Sequence, residues 1–245
     1  MYNYAMPKIS VSIIARNEAK HLKACLDSVA WAYEVVVVDC ESGDATGEIA
    51  RAAGARVFVR RNEPNLNINK QFAVQQCSGD WVLYLDPDER CVPAFAKAVM
   101  KAAERGEFAA YTAPRRNFYF GRWLARGGKY PDTQLRFFKR GHASFACRDV
   151  HERLQVDGRI GALGEAFEHY PYDDASDMVR KMDFYSTIKA KSPVEMRFSR
   201  GPRRFLVNYF LRGGFLDGWQ GFAAAVMDLF GEILTYIKKY NDKIS

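Results

Sequence analysis

Several features that would assign this 245-residue sequence to a known class of protein are missing. Its five cysteines include no C-x-x-C pair and no short Cys/His spacing, which argues against a zinc module or a disulfide framework. The first residues lack the basic-then-apolar order of a signal peptide, and no apolar run approaches the roughly 18 residues of a membrane span. We therefore expect a cytoplasmic protein with reduced, mostly buried thiols.

Two glycine-rich phosphate-binding patterns are also missing. No G-x-x-x-x-G-K-[ST] loop of the nucleoside triphosphatases is present, and no G-x-G-x-x-G pattern follows the first predicted strand. The net charge is +7, but no helix-turn-helix, zinc-finger or RNA-binding signature accompanies it, so nucleic acid is not an expected partner. If the chain binds phosphates, a metal ion is the remaining means of holding them.

Strand and helix patterns alternate along the first hundred residues. Apolar and β-branched runs predict strands, and helical periods predict helices between them; the predicted strands are 9–14, 35–38, 56–59 and 81–85, and the predicted helices 18–30, 45–53 and 68–76. The continuous run 35–38 is typical of a strand covered on both faces in a parallel sheet. The alternation indicates βαβ units, so the N-terminal half is expected to be an open α/β sheet.

Polar residues follow three of these strands at the point where each one ends. The groups are 15–18, 39–46 and 86–89. Ligands of open α/β sheets bind at the carboxyl ends of the strands. Each group alone could be a helix N-cap, but three at successive strand ends favour a binding site.

The most informative group contains Asp86, Pro87 and Asp88. Two carboxylates that are two residues apart after an apolar strand can present oxygens to one hard cation, which also bridges substrate phosphates. We therefore predict a Mg²⁺ or Mn²⁺ site here.

Four stretches together resemble the successive motifs of glycosyltransferase family 2. They are I-S-V-S-I-I-A-R-N-E at 9–18, V-V-V-V-D-C-E-S-G-D-A-T at 35–46, Asn69-Lys70, and W-V-L-Y-L-D-P-D-E at 81–89. The resemblance covers roughly residues 8 to 170. It implies the GT-A fold, a Rossmann-like nucleotide-sugar-binding sheet, and inversion of the anomeric centre.

By position, the resemblance also implies roles for individual residues. Glu18 and Asp39 would hold the nucleoside, and Lys70 would approach the diphosphate, although an ordinary exposed helix lysine remains the alternative for Lys70. Asp88, with Asp86 nearby, would hold the metal that neutralises the departing nucleoside diphosphate.

The predicted general base lies in the second half of the fold, where the chain departs from the common family pattern. Residues 134–138 read Q-L-R-F-F and residues 149–154 read D-V-H-E-R-L, without the usual Glu-Asp pair. This form resembles the lipopolysaccharide inner-core β-1,4-glucosyltransferases of the WaaE/KdtX type. The resemblance implies Glu152 as the base, with Asp149 as the fallback.

Two histidines have candidate roles in this region. His151 would orient Glu152 or contact the acceptor, and His169 is a candidate third metal ligand; a structural role is the alternative for each. We expect residues 1–172 to form the GT-A domain and residues 173–245 a helical extension.

The C-terminal third carries most of the excess positive charge. Nine basic residues against two acidic ones lie between Arg180 and Arg212. A helix is predicted from Ser176 to Lys191, ending before Pro193, and a final amphipathic helix runs to about Tyr240. The basic segment is either a solvated face or a patch for anionic lipid or phosphorylated glycan. Arginines at 197, 200, 203 and 204 beside aromatics suit an interfacial segment.

The sequence thus predicts a metal-dependent transferase that moves a hexose from a nucleoside-diphosphate sugar to a glycan or glycolipid acceptor. UDP-glucose as donor and a lipid-linked or lipopolysaccharide-core acceptor follow from the resemblance alone. The expected location is the cytoplasm, peripheral at the inner face of the cytoplasmic membrane. The alternatives are another family 2 transferase acting on a polyprenyl-linked or protein acceptor, a non-catalytic nucleotide-sugar-binding scaffold, and a nucleotidyltransferase, which the missing glycine-rich opening loop disfavours.

Overall fold

The computed structural model describes residues 6–147, 154–193 and 195–241. The chain forms two compact units, Met1–Arg115 with Thr133–Glu168, and Arg116–Asp132 with His169–Ser245. Segment 116–132 thus belongs with the C-terminal helices. The division into domains at residue 172 stays a prediction.

The first unit begins with alternating strands and helices. Its elements are β1 Ile9–Ala15, α1 Ala19–Ser28, β2 Glu34–Asp39, α2 Thr46–Ala52, β3 Arg56–Val59, α3 Leu66–Gln75, β4 Trp81–Leu85, β5 Glu89–Arg90 and α4 Pro93–Arg105. Each of the four predicted strands and three predicted helices is present, with bounds within two residues of the prediction. The α/β class is therefore confirmed.

Seven further strands follow α4. They are β6 Ala110–Tyr119, β7 Arg122–Trp123, β8 Asp132–Lys139, β9 Ala143–Ser144, β10 Gln155–Val156, β11 Ile160–Ala162 and β12 Phe167–His169. The strand order is β3-β2-β1-β4-β8-β6-β12-β5, with β11 and β7 paired to β6, while β9 and β10 form a separate pair. Strands β3, β2, β1 and β4 are parallel, and β8 joins β4 in the antiparallel sense.

The two central parallel strands, β1 and β4, are buried on both faces, which accounts for their apolar runs. All seven residues of β1 and all five of β4 are buried. In the register, Ala15 pairs with Asp39, and Ile13 pairs with Leu85. The carboxyl ends of β1, β2 and β4 therefore lie side by side, and the polar groups that follow these strands share one edge of the sheet.

Local sequence fixes the ends of several helices. The side chain of Asn65 caps α3 by accepting from the Asn67 N–H, and Asp174 caps α5 in the same way from Asp177. Helix α4 begins with Pro93 and ends at Arg105, and Gly106 caps it with a φ of 59°, which glycine adopts without strain.

The second unit is mainly helical. Its helices are α5 Ala175–Ala190, α6 Arg200–Leu206 and α7 Gly218–Asn241, with a π-helical turn at Val207–Leu211 and a 3₁₀ turn at Gly214–Asp217. The predicted helix before Pro193 and the predicted final helix are both present. Within the described part of the chain, no helix is both long enough and apolar enough to cross a membrane.

Acidic residues of α7 neutralise part of the basic segment. Glu232, whose side chain is 2% exposed, lies 2.6 Å from Lys189 Nζ, 2.7 Å from Arg204 and 3.4 Å from Arg200. Asp228 lies 3.6 Å from Arg204 as well. Arg200 and Arg204, two of the four arginines singled out in the sequence, are therefore engaged inside this unit.

None of the five cysteines forms a disulfide. Cys25, Cys40, Cys77 and Cys91 are buried, and Cys147 is half-buried. The predicted burial of most of the thiols is confirmed.

Candidate active site

Hydrogen bonds connect the loops that follow β1 and β2. The Asn17 N–H donates to Ser42 Oγ at 3.0 Å, and Asn17 Oδ1 accepts from the Gly43 N–H at 2.8 Å. The Glu18 N–H donates to Thr46 Oγ1 at 2.8 Å. Asn17 adopts a φ of 54°, a left-handed conformation that asparagine tolerates better than most residues. The two loops therefore form one fixed surface at the sheet edge, and this surface includes the predicted residue Glu18.

The predicted nucleoside-binding residue Asp39 lies at the base of this surface. Its side chain is buried, and its Oδ1 accepts from the Ser42 N–H at 2.9 Å. A Cβ atom on Gly47, at the start of α2, would lie only 2.6 Å from Asp39 Oδ2. Glycine at this position is therefore what leaves room for the carboxylate.

Asp86 is held by two partners at the end of β4. Its Oδ1 accepts from the Tyr84 hydroxyl, and its Oδ2 accepts from Arg136 at 2.6 Å. Burial favours the neutral acid, but the positive charges of Arg136 and Lys70 outweigh burial and hold the pKa of Asp86 well below its usual range. Asp86 is consequently ionised and fixed in orientation at neutral pH.

A second carboxylate completes this arrangement. Glu89 is fully buried, and its Oε1 accepts from Arg136 at 2.5 Å and from Arg115 at 3.0 Å. Its Oε2 accepts from the Asp86 backbone N–H at 2.9 Å. Burial works against the charged form of Arg136, yet Glu89 and Asp86 raise its pKa well above the usual value. We call the turn at Asp86–Asp88 the acidic turn. Arg136 and the buried Glu89 hold it in place directly, and Arg115 supports it through Glu89.

Lys70, on α3, lies beside the same turn. Its Nζ is 5.0 Å from the centre of the Tyr84 ring and 5.9 Å from that of Phe145. The residue is half-buried, and its charge contributes to the low pKa of Asp86. The structure therefore places Lys70 near Asp86, while the contact of Lys70 with a diphosphate stays a prediction.

The donor chemistry of the turn fits a divalent cation. Both oxygens of Asp86 have protein partners, so Asp86 has limited capacity for a direct ligand bond. Asp88 is half-buried two residues further along the turn. Mg²⁺ is often bound through one or two carboxylates plus substrate phosphates, and an Asp88-centred site suits that mode.

The other predicted site residues are not part of this arrangement. Asp149, His151 and Glu152 lie outside the described residues. His169 belongs to the second unit, where its Nδ1 is 2.6 Å from Asn117 Oδ1. Across the described ranges, no group of three or more His, Cys, Asp or Glu side chains could hold a metal ion. The role of His169 as a third ligand stays a prediction.

Sequence reasoning missed the residues that orient the acidic turn. Arg136, Arg115 and Tyr84 were given no role, and Glu89 was quoted only as part of a motif. One signal was available, since Arg136 stands between apolar residues in the run Q-L-R-F-F. A charge in such a run indicates a buried ion pair, but not the identity of its partner.

Comparison with known families identifies the chain. The model described as Glycosyl transferase family 2 matches residues 10–153. This chain belongs to that family. The match includes β1, β2 and β4 with the polar groups that follow them, so the family recognised from the sequence is confirmed.

Full-length relatives support the same assignment. An uncharacterized glycosyltransferase of Rickettsia typhi is 30% identical over 95% of this chain and 87% of its own length. The lipopolysaccharide core biosynthesis glycosyltransferase LpsC of Rhizobium meliloti is 29% identical over 96% of this chain and 93% of its own length. The similarity therefore extends through the C-terminal helices as well as the sheet.

Solved structures agree on the fold. The crystal structure of S. aureus TarS 1-349 in complex with UDP-GlcNAc superposes with a TM-score of 0.53 at 12% identity, covering 97% of this chain and 92% of that one. A second TarS 1-349 crystal structure gives a TM-score of 0.51 at 14% identity, covering 96% of this chain and 87% of that one. The GT-A fold is confirmed.

Proposed function

We propose that this protein is an inverting, metal-dependent hexosyltransferase that uses a nucleoside-diphosphate sugar to extend a lipopolysaccharide-core glycan. One observation carries the proposal: Lys70 and the Asp86–Asp88 turn meet at the sheet edge that also bears Asp39. A cation beside an ionised acidic turn suits a ligand with a diphosphate, because the metal and the lysine share its negative charge.

The donor would occupy the surface formed by the loops after β1 and β2. Asp39 would accept hydrogen bonds from the nucleoside, and Glu18 would lie beside it. Because hydrogen bonds within the protein already fix these loops, the free protein holds both residues in place. UDP-glucose is the donor that the sequence resemblance implies.

Asp88 and Asp86 would hold Mg²⁺ or Mn²⁺ against the diphosphate. When bound, the cation neutralises the charge that develops on the departing nucleoside diphosphate. Arg136 and Tyr84 keep Asp86 ionised and correctly oriented. His169 is the proposed third ligand. Its Nδ1 donates to Asn117 Oδ1, and this hydrogen bond orients the ring.

Glu152 would act as the general base. It would take the proton of the acceptor hydroxyl while the hydroxyl oxygen forms a bond to the anomeric carbon. On the opposite face of the sugar, the bond between the anomeric carbon and the diphosphate oxygen would break, and the nucleoside diphosphate would leave. Inversion follows from this single displacement. His151 would orient Glu152 or contact the acceptor, and Asp149 is the fallback base.

The acceptor assignment rests on the relatives. LpsC is named for lipopolysaccharide core biosynthesis, and its similarity to this chain covers nearly the whole of both. A glycan or glycolipid acceptor is therefore the proposed partner, used on the cytoplasmic side of the membrane.

The decisive experiment is a panel of donors. Purified protein is incubated with UDP-, GDP-, ADP- and dTDP-sugars, with and without EDTA, and the released nucleoside diphosphate is measured. We expect release from UDP-glucose that requires a divalent metal, and faster release when lipopolysaccharide-core acceptor is added. If UDP-glucose binds but no condition of the panel releases the nucleoside diphosphate, the protein is instead a non-catalytic nucleotide-sugar-binding protein.

A further inference from the structure

A group of large apolar side chains stands exposed between α6 and the first turns of α7. Each member is between 48% and 81% exposed; the members are Leu206, Phe210, Leu211, Phe215, Leu216, Trp219 and Phe222. We call these seven residues the aromatic face. Scattered single apolar residues are normal on protein surfaces, but a concentration of this kind marks an interaction site.

Ring contacts join several members of the aromatic face. The Tyr209 ring lies 5.0 Å from that of Phe210, 6.2 Å from that of Phe215 and 5.5 Å from that of Phe222. Trp219 stacks on Phe120 of the same unit at 5.4 Å. Tyr209 therefore links three exposed members of the face, and Trp219 packs on segment 116–132.

The backbone beneath the face is fixed. Buried Asp217 accepts from the Arg126 N–H at 2.8 Å, which ties the 3₁₀ turn to segment 116–132. A Cβ atom on Gly221 would lie only 2.0 Å from the Gly214 carbonyl oxygen, so α7 packs directly against that turn. These two contacts hold the 3₁₀ turn in place between segment 116–132 and α7.

Positive charge borders the aromatic face. No acidic residue occurs in the sequence between Met196 and Leu216, and Arg203 and Arg212 are both exposed within that stretch. Arg122 is also exposed, and it donates to the Leu216 carbonyl at 3.2 Å. Glu232 and Asp228 engage Arg200 and Arg204, so Arg203 is the one cation beside the face that also belongs to the four arginines singled out in the sequence.

We propose that the aromatic face docks this protein on an anionic bilayer surface. Phenylalanine, tryptophan and leucine side chains would enter the headgroup region, while Arg203, Arg212 and Arg122 would remain beside the lipid phosphates. The charge of the border selects this occupant, because a second copy of the chain would bring another positive border against the first. The inference extends the proposed function and does not depend on it, since docking is measured without turnover.

The test is cosedimentation of the full chain with vesicles of phosphatidylcholine alone or with about one third phosphatidylglycerol. We expect the parent to sediment with the anionic vesicles at low salt, to be released as salt rises, and to remain in solution with the neutral vesicles. The Leu211→Ser/Leu216→Ser variant should lose at least tenfold in binding. The Arg203→Gln/Arg212→Gln variant should bind more weakly and depend less on salt.

Two controls separate docking from damage to the fold. Val179→Ser/Phe184→Ser removes comparably exposed apolar side chains from α5, at 52% and 58% exposure, and should bind like the parent. The second control uses Trp219 fluorescence in the parent, which should shift to the blue when anionic vesicles are added. Trp219→Phe should remove this shift.

Three results would overturn the proposal. The first is that the parent does not sediment with anionic vesicles at low salt. The second is that Leu211→Ser/Leu216→Ser binds as well as the parent. The third is that the parent is a dimer in solution and Leu211→Ser/Leu216→Ser is a monomer. The last result would identify a second copy as the occupant of the aromatic face. Metal-dependent release of nucleoside diphosphate should persist in all of these variants, so failure of docking and failure of the proposed function are distinguishable.

Discussion

Arg136 and Glu89 form a buried ion pair, with 2.5 Å between the guanidinium nitrogen and the carboxylate oxygen. The Arg136 side chain is 9% exposed and that of Glu89 is fully buried. The same guanidinium nitrogen reaches Asp86 at 2.6 Å. One buried cation therefore links the stability of the first unit to the orientation of the acidic turn.

Arg136→Met should destabilise the protein by about 3 to 5 kcal/mol, because Glu89 would lose a charged partner without leaving its buried position. Urea unfolding measures the change. Arg105→Met, an exposed change at the end of α4, should fall within about 0.5 kcal/mol of the parent. A loss below about 1 kcal/mol for Arg136→Met would mean that Arg115 alone compensates Glu89.

Asp88→Ala should remove most transfer while leaving the thermal midpoint unchanged, because the residue is half-buried at a turn and serves the proposed metal. Release of nucleoside diphosphate is measured over a range of Mn²⁺ concentrations. Asp80→Ala changes a carboxylate at the opposite end of β4, where Asp80 accepts from the Lys8 N–H, and should retain activity. Transfer that persists in Asp88→Ala or in chelator excludes the metal role.

Gly47→Ala should weaken donor binding by about one to two orders of magnitude, since its new methyl group would displace the Asp39 carboxylate. Isothermal titration with UDP measures the effect. Gly43→Ala, in the loop before α2, is the matched control, because the nearest atom to a Cβ built at Gly43, Asn17 Oδ1, is 3.9 Å away. If the two variants bind UDP with equal affinity, Asp39 does not contact the nucleoside.

Glu152→Gln should lower turnover by about two to four orders of magnitude, the usual contribution of general base catalysis, with donor affinity nearly unchanged. Single-turnover kinetics separate the two quantities. Asp149→Asn is the comparison. If Asp149→Asn lowers turnover strongly and Glu152→Gln lowers it only mildly, Asp149 is the general base.

Glu34 should make stability depend on pH in the acid range. Burial favours its neutral form, but hydrogen bonds from Ser10, Ser78 and Arg56 lower its pKa from 4.5 to about 2. Because the pKa is lower in the folded state, the stabilisation is present above pH 4.5 and lost as the pH falls towards 2.

The size of this effect is on the order of 1 to 2 kcal/mol once solvent screening is allowed for. Unfolding free energies of the parent should therefore decline between about pH 5 and about pH 2, and Glu34→Gln should reduce that decline. Identical pH profiles for parent and variant would show that other carboxylates account for acid unfolding.

The acidic turn could be predicted from the sequence, whereas the residues that orient it could not. An apolar run followed by Asp86 and Asp88 is local information, and β4 has the predicted bounds. The partner of Glu89 is 47 residues away in sequence and reaches it only because β8 pairs with β4. Nothing in the local pattern of either strand specifies that pairing.

A count of charges along the sequence could not show how much of the basic segment is neutralised in the folded protein. The basic segment was located correctly, but Asp228 and Glu232, which neutralise part of it, lie on α7 beyond the counted stretch. Helices α6 and α7 fold onto each other, so charges distant in sequence become neighbours. The exposed aromatic residues are conversely visible only once the core of the second unit is defined.

The hydrogen bonds between Asn17, Ser42 and Gly43 have a consequence for engineering donor preference. The loops after β1 and β2 donate to and accept from each other, so a chimera that exchanges only one loop would leave the other with mismatched partners. Transplanting both loops together from a relative with a different nucleotide preserves their mutual contacts. For the exchange of donor specificity, these two segments form a single module.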